Sequence, residues 1–398
     1  MNQPNKVIIA DNLQYLKKMQ TLNHLFDVIY IDPPYNTQNK FSYNDNHENW
    51  QDFMLQRLQL TAPIMQESGV IFISIDDNSL CELKIACDKI FGKDNFVGIF
   101  ITKQAMRSNS KHINTIHEYI IVYAKNKYKL PHFRIKRLEN PEDAAIIQDL
   151  SAKIKQKFNV DGKKSAEKLL FALIAEYIAK TGKTWLRNYS AVDDSHNKGE
   201  IFFPKDLSVP GEPAPLEIAE IGLNLPALAT RKWSTPQKFI KLHNENRLYF
   251  KGNRPYEKHY LKESCDNVSS ILDFYSRQGT NDLKKLGLSN LFDTPKPVEL
   301  IKYLIRIATQ NKANASILDY FAGSGTTGQA VMEINLQDGK NHNFCLVQLD
   351  EPIKKGTKQY KFAVDNAISP TIDQLMIHRL NIAKEKLGYM GNFEILKS

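Results

Sequence analysis

Residues 26–37 read FDVIYIDPPYNT, and the fold turns on them. Residues 26–31 form a short apolar run, rich in β-branched and aromatic side chains and ended by two prolines, which predicts a buried strand stopping at Asp32. Such a strand delivers Asp32 to the edge of a sheet. Pro33 and Pro34 have a fixed φ and no N–H to donate, so the loop is rigid with carbonyls to offer, and Tyr35 adds a flat aromatic face. Acceptors beside a ring suit an exocyclic amine on a planar heterocycle. The Asp32 carboxylate and a proline carbonyl accept its two N–H bonds while Tyr35 stacks on the ring, and an amine held this way becomes nucleophilic. A strand followed by a plain polyproline turn accounts for the same residues without chemistry.

A second stretch changes that balance. Residues 316–327, SILDYFAGSGTT, are again strand-like, end in Asp319, and run through a glycine-rich turn into a helix expected from about residue 327 to 334. Gly323 and Gly325 permit close backbone approach of a ligand at a helix N-terminus, with Ser324 and Thr326 adding hydroxyl donors. No Lys follows the glycines, so this is not a phosphate loop.

Together DPPY and FAGSGTT resemble the catalytic and cofactor motifs of the S-adenosylmethionine-dependent amino-methyltransferases of DNA, and DPPY preceding FAGSG is similar to the permuted β group of that family. The resemblance implies an α/β, Rossmann-like methyltransferase fold with a mostly parallel seven-stranded sheet in permuted order and an inserted recognition domain. It implies S-adenosylmethionine as cofactor, with Asp32, Asp319, Phe321, Gly323, Ser324, Gly325 and Thr326 around it, and Asp32, Pro33, Pro34 and Tyr35 as the catalytic loop. Asp at the first position of DPPY implies adenine N6, Ser there being the usual cytosine N4 form.

Composition fits a globular enzyme. The 398 residues are 42% hydrophobic and 24% charged, ample for a core, and one to three domains are expected. No run of about 18 apolar residues occurs and the first residues resemble neither a signal nor a transit peptide, so a cytoplasmic protein without a membrane span is expected. Cys81, Cys87, Cys265 and Cys345 lack metal or redox spacing, and no His, Cys or carboxylate cluster has ligand spacing, so no metal is expected. Net charge is +9, and residues 125–290 hold 29 Lys and Arg against 20 Asp and Glu, while the flanks balance at 24 each. A basic middle between balanced flanks is the pattern of a polyanion-binding insert on a catalytic core, or of a solvated lysine-rich surface.

From these features the chain divides into residues 1–125, the catalytic half of the core; 126–290, a basic target-recognition insert; and 291–398, the cofactor-binding half with a C-terminal helix. In the first part, residues 6–10 are a strand, and Asp11 either caps the helix from Asn12 or, as the resemblance implies, contacts the adenine end of the cofactor; one carboxylate can do both. Residues 36–49 resemble a loop closing over the target base. A helix is expected over 50–67 with Gly69 supporting its stop, then strands at 70–75, 97–101 and 117–124. Residues 74–79, SIDDNS, resemble modification subunits of type III restriction systems, although Asp76 and Asp77 also read as helix caps. The basic loop 103–116, with Lys103 and Arg107, resembles the target-base pocket.

In the middle part, a helix over 165–179 has Leu169, Leu170, Leu173, Ile174 and Ile178 at core spacing. TGKT at 181–184 lacks the preceding glycine of a phosphate loop. Residues 231–260 interleave basic and aromatic side chains, so Arg231, Lys232, Trp233, Arg247 and Arg254 are candidates for phosphate contacts and base stacking. In the last part, residues 291–305 resemble the family motif that sets a Lys-Pro pair beside the methionine end of the cofactor, which implies Lys296 for its carboxylate, with Phe292 where many relatives have His. Gln348 aligns with a Glu that takes the ribose hydroxyls, Asp350 being the fallback. Residues 366–388 read as helix.

The resemblance also implies double-stranded DNA as partner, a homodimer, and a restriction subunit in a restriction-modification system. Alternatives are cytosine N4 or an amine in RNA as acceptor, a DNA-binding protein that has lost catalysis, and, against the missing Lys, a nucleotide hydrolase.

Overall fold

The computed structural model describes residues 4–22, 24–37, 49–104, 112–310 and 312–397. It divides into two compact units. One comprises Met1–Phe133 with Val268–Ser398, and the other is Arg134–Asn267.

The first unit is a sheet covered by helices. In chain order it contains β1 (Asn5–Ile9), α1 (Asn12–Met19), β2 (Phe26–Ile31), α2 (Trp50–Thr61), β3 (Met65–Ile75), α3 (Leu80–Phe91), β4 (Phe96–Lys103) and β5 (His117–Ala124). After the second unit follow β6 (Ile271–Tyr275), α4 (Arg277–Lys285), α5 (Val298–Thr309), β7 (Ser316–Asp319), α6 (Thr326–Asp338), β8 (Asn343–Gln348), α7 (Lys358–Asp365), α8 (Ile372–Leu387) and β9 (Phe393–Lys397). Strand order is β6-β4-β5-β3-β2-β7-β8-β1-β9. Every pairing is parallel except the two made by β5, which runs antiparallel to β3 and β4.

The central strands are apolar on both faces, as strands buried between helix layers must be. Val28, Ile29, Ile31, Ile317 and Leu318 have no exposed surface. Register then sets the chemistry. Val28 and Ile29 of β2 lie beside Ile317 and Leu318 of β7, so Asp32 and Asp319 emerge from adjacent strands at the same sheet edge. Ile9 of β1 lies beside Gln348 of β8, which brings Asp11 to that edge as well.

Several expectations need correction. The described sheet has nine strands rather than seven, because β6 and β9 extend it at either side. Residues 268–290, assigned by sequence to the insert, belong to the first unit, since β6 pairs with β4. Residues 126–133 belong there too. The helix expected over 50–67 stops at Thr61, ahead of Pro63, and Gly69 lies within β3, where a Cβ would come 2.8 Å from the Gln66 carbonyl oxygen. The helix expected over 366–388 begins only at Ile372, beyond Pro370, with α7 a separate helix before it.

The second unit has its own core. A four-stranded antiparallel sheet is formed by Leu248–Lys251, Arg254–Tyr260, Ile201–Asp206 and Ala191–Val192. The helix expected over 165–179 is the second half of a longer one, Pro141–Thr181, broken where Gly162 takes φ 76°. Leu170 and Ile174 are buried with Leu150, Ile154 and Leu186, and Leu169, Leu173 and Ile178 pack against them. This unit holds 23 Lys and Arg against 18 Asp and Glu, so it carries +5 of the +9 excess rather than all of it.

Candidate active site

Each polar group at the sheet edge is fixed by neighbours. Beyond β2, the Tyr35 hydroxyl donates to Asp32 Oδ1 at 2.7 Å and accepts from Lys296 Nζ at 2.7 Å. Lys296 Nζ is also 3.2 Å from Asp32 Oδ1 and 2.9 Å from Glu118 Oε2. The indole N–H of Trp50 donates to the Pro34 carbonyl at 2.6 Å, and Ser79 Oγ donates to the Tyr35 carbonyl at 3.1 Å, so the proline loop is fastened to the starts of α2 and α3.

Burial raises the Asp32 carboxyl above its ordinary range; the Lys296 ammonium opposes that shift and Glu118 adds to it. Burial works against the charge on Lys296, but Asp32 and Glu118 hold its pKa well above the ordinary value, so it stays protonated. Tyr35 is pushed far up by burial and by the same carboxylates, which keeps it a neutral hydroxyl.

Beyond β7, Asp319 accepts from Thr327 Oγ1 at 2.6 Å and from the Phe321 N–H at 3.1 Å. Burial pushes its carboxyl up to about 7. The Gly323 N–H donates to Gln348 Oε1 at 2.8 Å, and Gln348 Nε2 donates to the Leu349 carbonyl at 3.1 Å. Gln348 therefore braces the glycine loop. Ser324 and Thr326, expected to offer hydroxyls to a ligand, both accept from Arg379 Nη1, at 2.7 and 2.8 Å. Arg379 is fully buried, and burial lowers its guanidinium to about 10.

The two glycines differ. Gly323 has φ 49°, and a Cβ there would find no neighbour nearer than the Phe321 carbonyl oxygen at 3.8 Å. Gly325, at φ 76°, faces α8, where a Cβ would meet Met376 Cγ at 2.9 Å. Only the first leaves room for a ligand.

A cavity of about 940 Å³ opens at this edge. Asp11, Asp32, Pro33, Pro34, Tyr35, Lys296, Asp319, Phe321, Gly323, Ser324, Thr326 and Gln348 all line it; of the catalytic and cofactor candidates, the fallback Asp350 aside, Gly325 alone does not. Asp11 caps α1, accepting from the Gln14 N–H at 3.0 Å, and also lines the cavity. The fallback Asp350 is not in the lining, whereas Glu351 is. Asp76 and Asp77 line it too, engaged by Asn78 and by the Tyr119 hydroxyl.

Sequence reasoning missed Glu118, Arg57, Arg277 and Asp293 in that lining. Glu118 lies at the beginning of β5, and in an antiparallel strand the beginning, not the end, lies with the carboxyl ends of its parallel neighbours, a direction known only once the pairing is.

The candidates for DNA contact fare differently. Trp233 is buried, donating to the Pro226 carbonyl at 2.8 Å and packing edge-on against Phe239, so it is core rather than a stacking platform. Arg231 donates to Ser208, Arg247 pairs with Glu263, and Arg254 Nη2 reaches both carboxylate oxygens of Asp206 at 3.1 and 3.0 Å. Lys103 pairs with Asp273 in the first unit. Lys232 is exposed on its strand. Arg107 lies outside the described residues, as do residues 38–48 of the loop 36–49 and the rest of 105–111 in the loop 103–116.

A family described as DNA methylase matches residues 26–359. The chain belongs to the DNA methylase family. Among its relatives, the Mod subunit of the type III restriction-modification enzyme EcoP15I from Escherichia coli is 30% identical, over 94% of this chain and 63% of its own length. The type II methyltransferase M.KpnI of Klebsiella pneumoniae is 28% identical, over 93% and 87%. The EcoPI Mod subunit of Escherichia phage P1 is 30% identical, over 90% and 59%. The chain thus spans about three fifths of the length of these Mod subunits. Among the described residues no helix is long and apolar enough to cross a membrane.

Proposed function

We propose that this methylase-family chain transfers a methyl group from S-adenosylmethionine to N6 of adenine in duplex DNA, at a specific site. One observation carries the reading: the proline loop after β2 and the glycine loop after β7, distant in sequence, open onto a single cavity. Family membership supports the reaction class, and Asp rather than Ser at position 32 supports adenine over cytosine.

The cavity fits the cofactor. Its volume admits an adenosyl amino acid together with a base, and Gly323 leaves open space at the glycine loop. Asp11 and Glu351 offer carboxylates suited to amino and hydroxyl groups of the nucleoside. When bound, the cofactor supplies a methyl group made electrophilic by its sulfonium.

The chain's own residues do the rest. Tyr35 and Lys296 both meet Asp32 at Oδ1 and hold the carboxylate in place. In this reading Asp32 and the Pro33 carbonyl take the two N–H bonds of the target amine, and Tyr35 stacks on the base. A paired base hides N6, so the target leaves the helix, at a cost of a few kcal/mol. Fixing amine and methyl donor in line contributes most of the acceleration.

On the likeness to Mod subunits of restriction-modification enzymes we assign a restriction subunit as partner, and on the DNA methylase family duplex DNA; a second copy of the chain and the cytoplasm are assigned on the motif resemblance alone. The second unit, with its +5 charge, is assigned to DNA. The test is modification-sensitive long-read sequencing of plasmid from cells expressing the intact protein or its Asp32→Ala variant. N6-methyladenine at one short motif, made only by the intact protein, is the expected result. N4-methylcytosine would move the acceptor, and a plasmid with no modified base, or equal modification by both proteins, overturns the assignment.

A further inference from the structure

The cluster around Lys296 has an uneven charge. Two carboxylates, Asp32 and Glu118, meet one ammonium, and the Tyr35 hydroxyl between them is neutral. Lys296 cancels one carboxylate, so the cluster keeps one formal negative charge. The side chains of Lys296 and Glu118 are only 13% and 15% exposed, too little for solvent to screen that charge well. Glu118 is also pinned from its other side, where Gln104 Nε2 donates to Oε1 and the Thr102 hydroxyl donates to its backbone carbonyl at 3.5 Å. Its carboxylate cannot swing away without giving up the bonds to Gln104 and Lys296, while the Thr102 bond fixes only the backbone.

The excess charge bears on the ligand proposed above. S-adenosylmethionine carries a sulfonium, an ammonium and a carboxylate, and is a net cation. Its product, S-adenosylhomocysteine, has lost the sulfonium charge and is neutral. We propose that Glu118 makes the cavity discriminate between the two, holding the charged donor more tightly than the spent product. Without Glu118 the Asp32–Lys296 pair would be neutral, and this cluster's share of the discrimination would be lost, although Asp11, Asp76, Asp77, Asp319, Arg57 and Arg277 line the same cavity. Glu118 is thus a positioning and specificity residue: it holds Lys296 and sets the charge of the site, while Asp32 faces the reacting amine. Its effect is to favour exchange of product for fresh donor after each transfer. The inference rests on the S-adenosylmethionine reading.

Binding alone tests it, with no turnover required. Calorimetric titration compares sinefungin, which carries an ammonium where the donor has its sulfonium, with S-adenosylhomocysteine. The wild-type protein binds sinefungin more tightly. Glu118→Gln keeps the size and hydrogen-bonding capacity but removes the charge, and lowers that preference on the order of tenfold, the effect of one unit charge acting across a partly buried site. Glu118→Asp keeps the charge and retains the preference, which a shift in packing alone would not predict. An unchanged ratio in a folded Glu118→Gln protein, a lost ratio in a folded Glu118→Asp protein, or no preference in the wild type overturns the role of Glu118 while leaving the cofactor reading intact. Failure of the wild type to bind either ligand overturns both.

Discussion

Gly279 of α4 and Pro295 touch backbone to backbone: a Cβ on Gly279 would lie 1.8 Å from the Pro295 carbonyl oxygen and 2.9 Å from the Lys296 carbonyl carbon. A few residues along the same helix, Asp282 Oδ2 accepts from the Val298 N–H at 3.0 Å. The segment carrying Lys296 is therefore clamped against α4, which explains how a long flexible lysine is aimed at Asp32 and Glu118.

Gly279→Ala is expected to break that clamp. The clash is with backbone, which has no rotamer to change, so the loop or the helix must move, at about 1–3 kcal/mol or more. Thermal denaturation should show a lower midpoint, and calorimetry with sinefungin a weaker affinity, because Lys296 moves with Pro295. Wild-type values for both would show that the loop relaxes freely.

How much of this was legible in the sequence follows from where each signal sits. The two site loops were readable because each interrupts an apolar run with residues of fixed conformational meaning, two prolines after β2 and two glycines after β7. Glu118 was hidden by strand direction, which a single strand's composition does not encode. β6 was hidden because ILDFY is a short edge strand, with Ile271 and Tyr275 exposed, inside a stretch whose charge matched the insert. At 231–260 the aromatic part of the signal misplaced Trp233, because a small β unit needs such aromatics for its own core, and it also uses ion pairs such as Arg254–Asp206 across its own strands.

Asp319 should make stability depend on pH. Its carboxyl is raised from 3.8 to about 7 in the fold, so between those values the native state holds a proton that the unfolded chain has lost. Stability from this group is therefore present below about pH 4 and lost as pH rises towards 7. Asp319→Asn removes the titration while keeping an acceptor for the Phe321 N–H. Urea midpoints measured from pH 4.5 to 8 should fall with pH in the wild type relative to the variant, and parallel curves would show that Asp319 does not titrate in this range.

The two loop glycines should separate binding from folding. Gly323→Ala places a methyl group in open space at the cavity, so it should weaken sinefungin binding by tenfold or more with stability lowered by only about 1 kcal/mol, the strain of φ 49°. Gly325→Ala carries the same backbone strain and also presses on Met376 and Leu380, so it should lower the melting temperature more than Gly323→Ala does. The reverse ranking in paired melting and titration experiments would show that the ligand lies against Gly325 instead.

Arg379 is the least expected member of the site's support. Its neighbours on α8, Ile372, Leu375, Met376, Leu380 and Ala383, are all buried at helical spacing, and that stripe runs straight through position 379. The guanidinium uses the burial to hold one partner in the glycine loop and two on α6: Nη1 donates to Ser324 and Thr326, while Nε and Nη2 converge on Gln329 Oε1 at 3.2 and 3.0 Å. Lysine keeps a cation but has a single nitrogen, which cannot span the serine, the threonine and the glutamine together. Arg379→Lys should therefore behave as a severe change, leaving at least one buried oxygen without a donor at about 1–3 kcal/mol. The expected outcome is a lower melting temperature, with sinefungin affinity reduced because the glycine loop no longer rests on a fixed base. A lysine variant that melts and binds like the wild type would show that the cation alone, not its forked geometry, supports the loop.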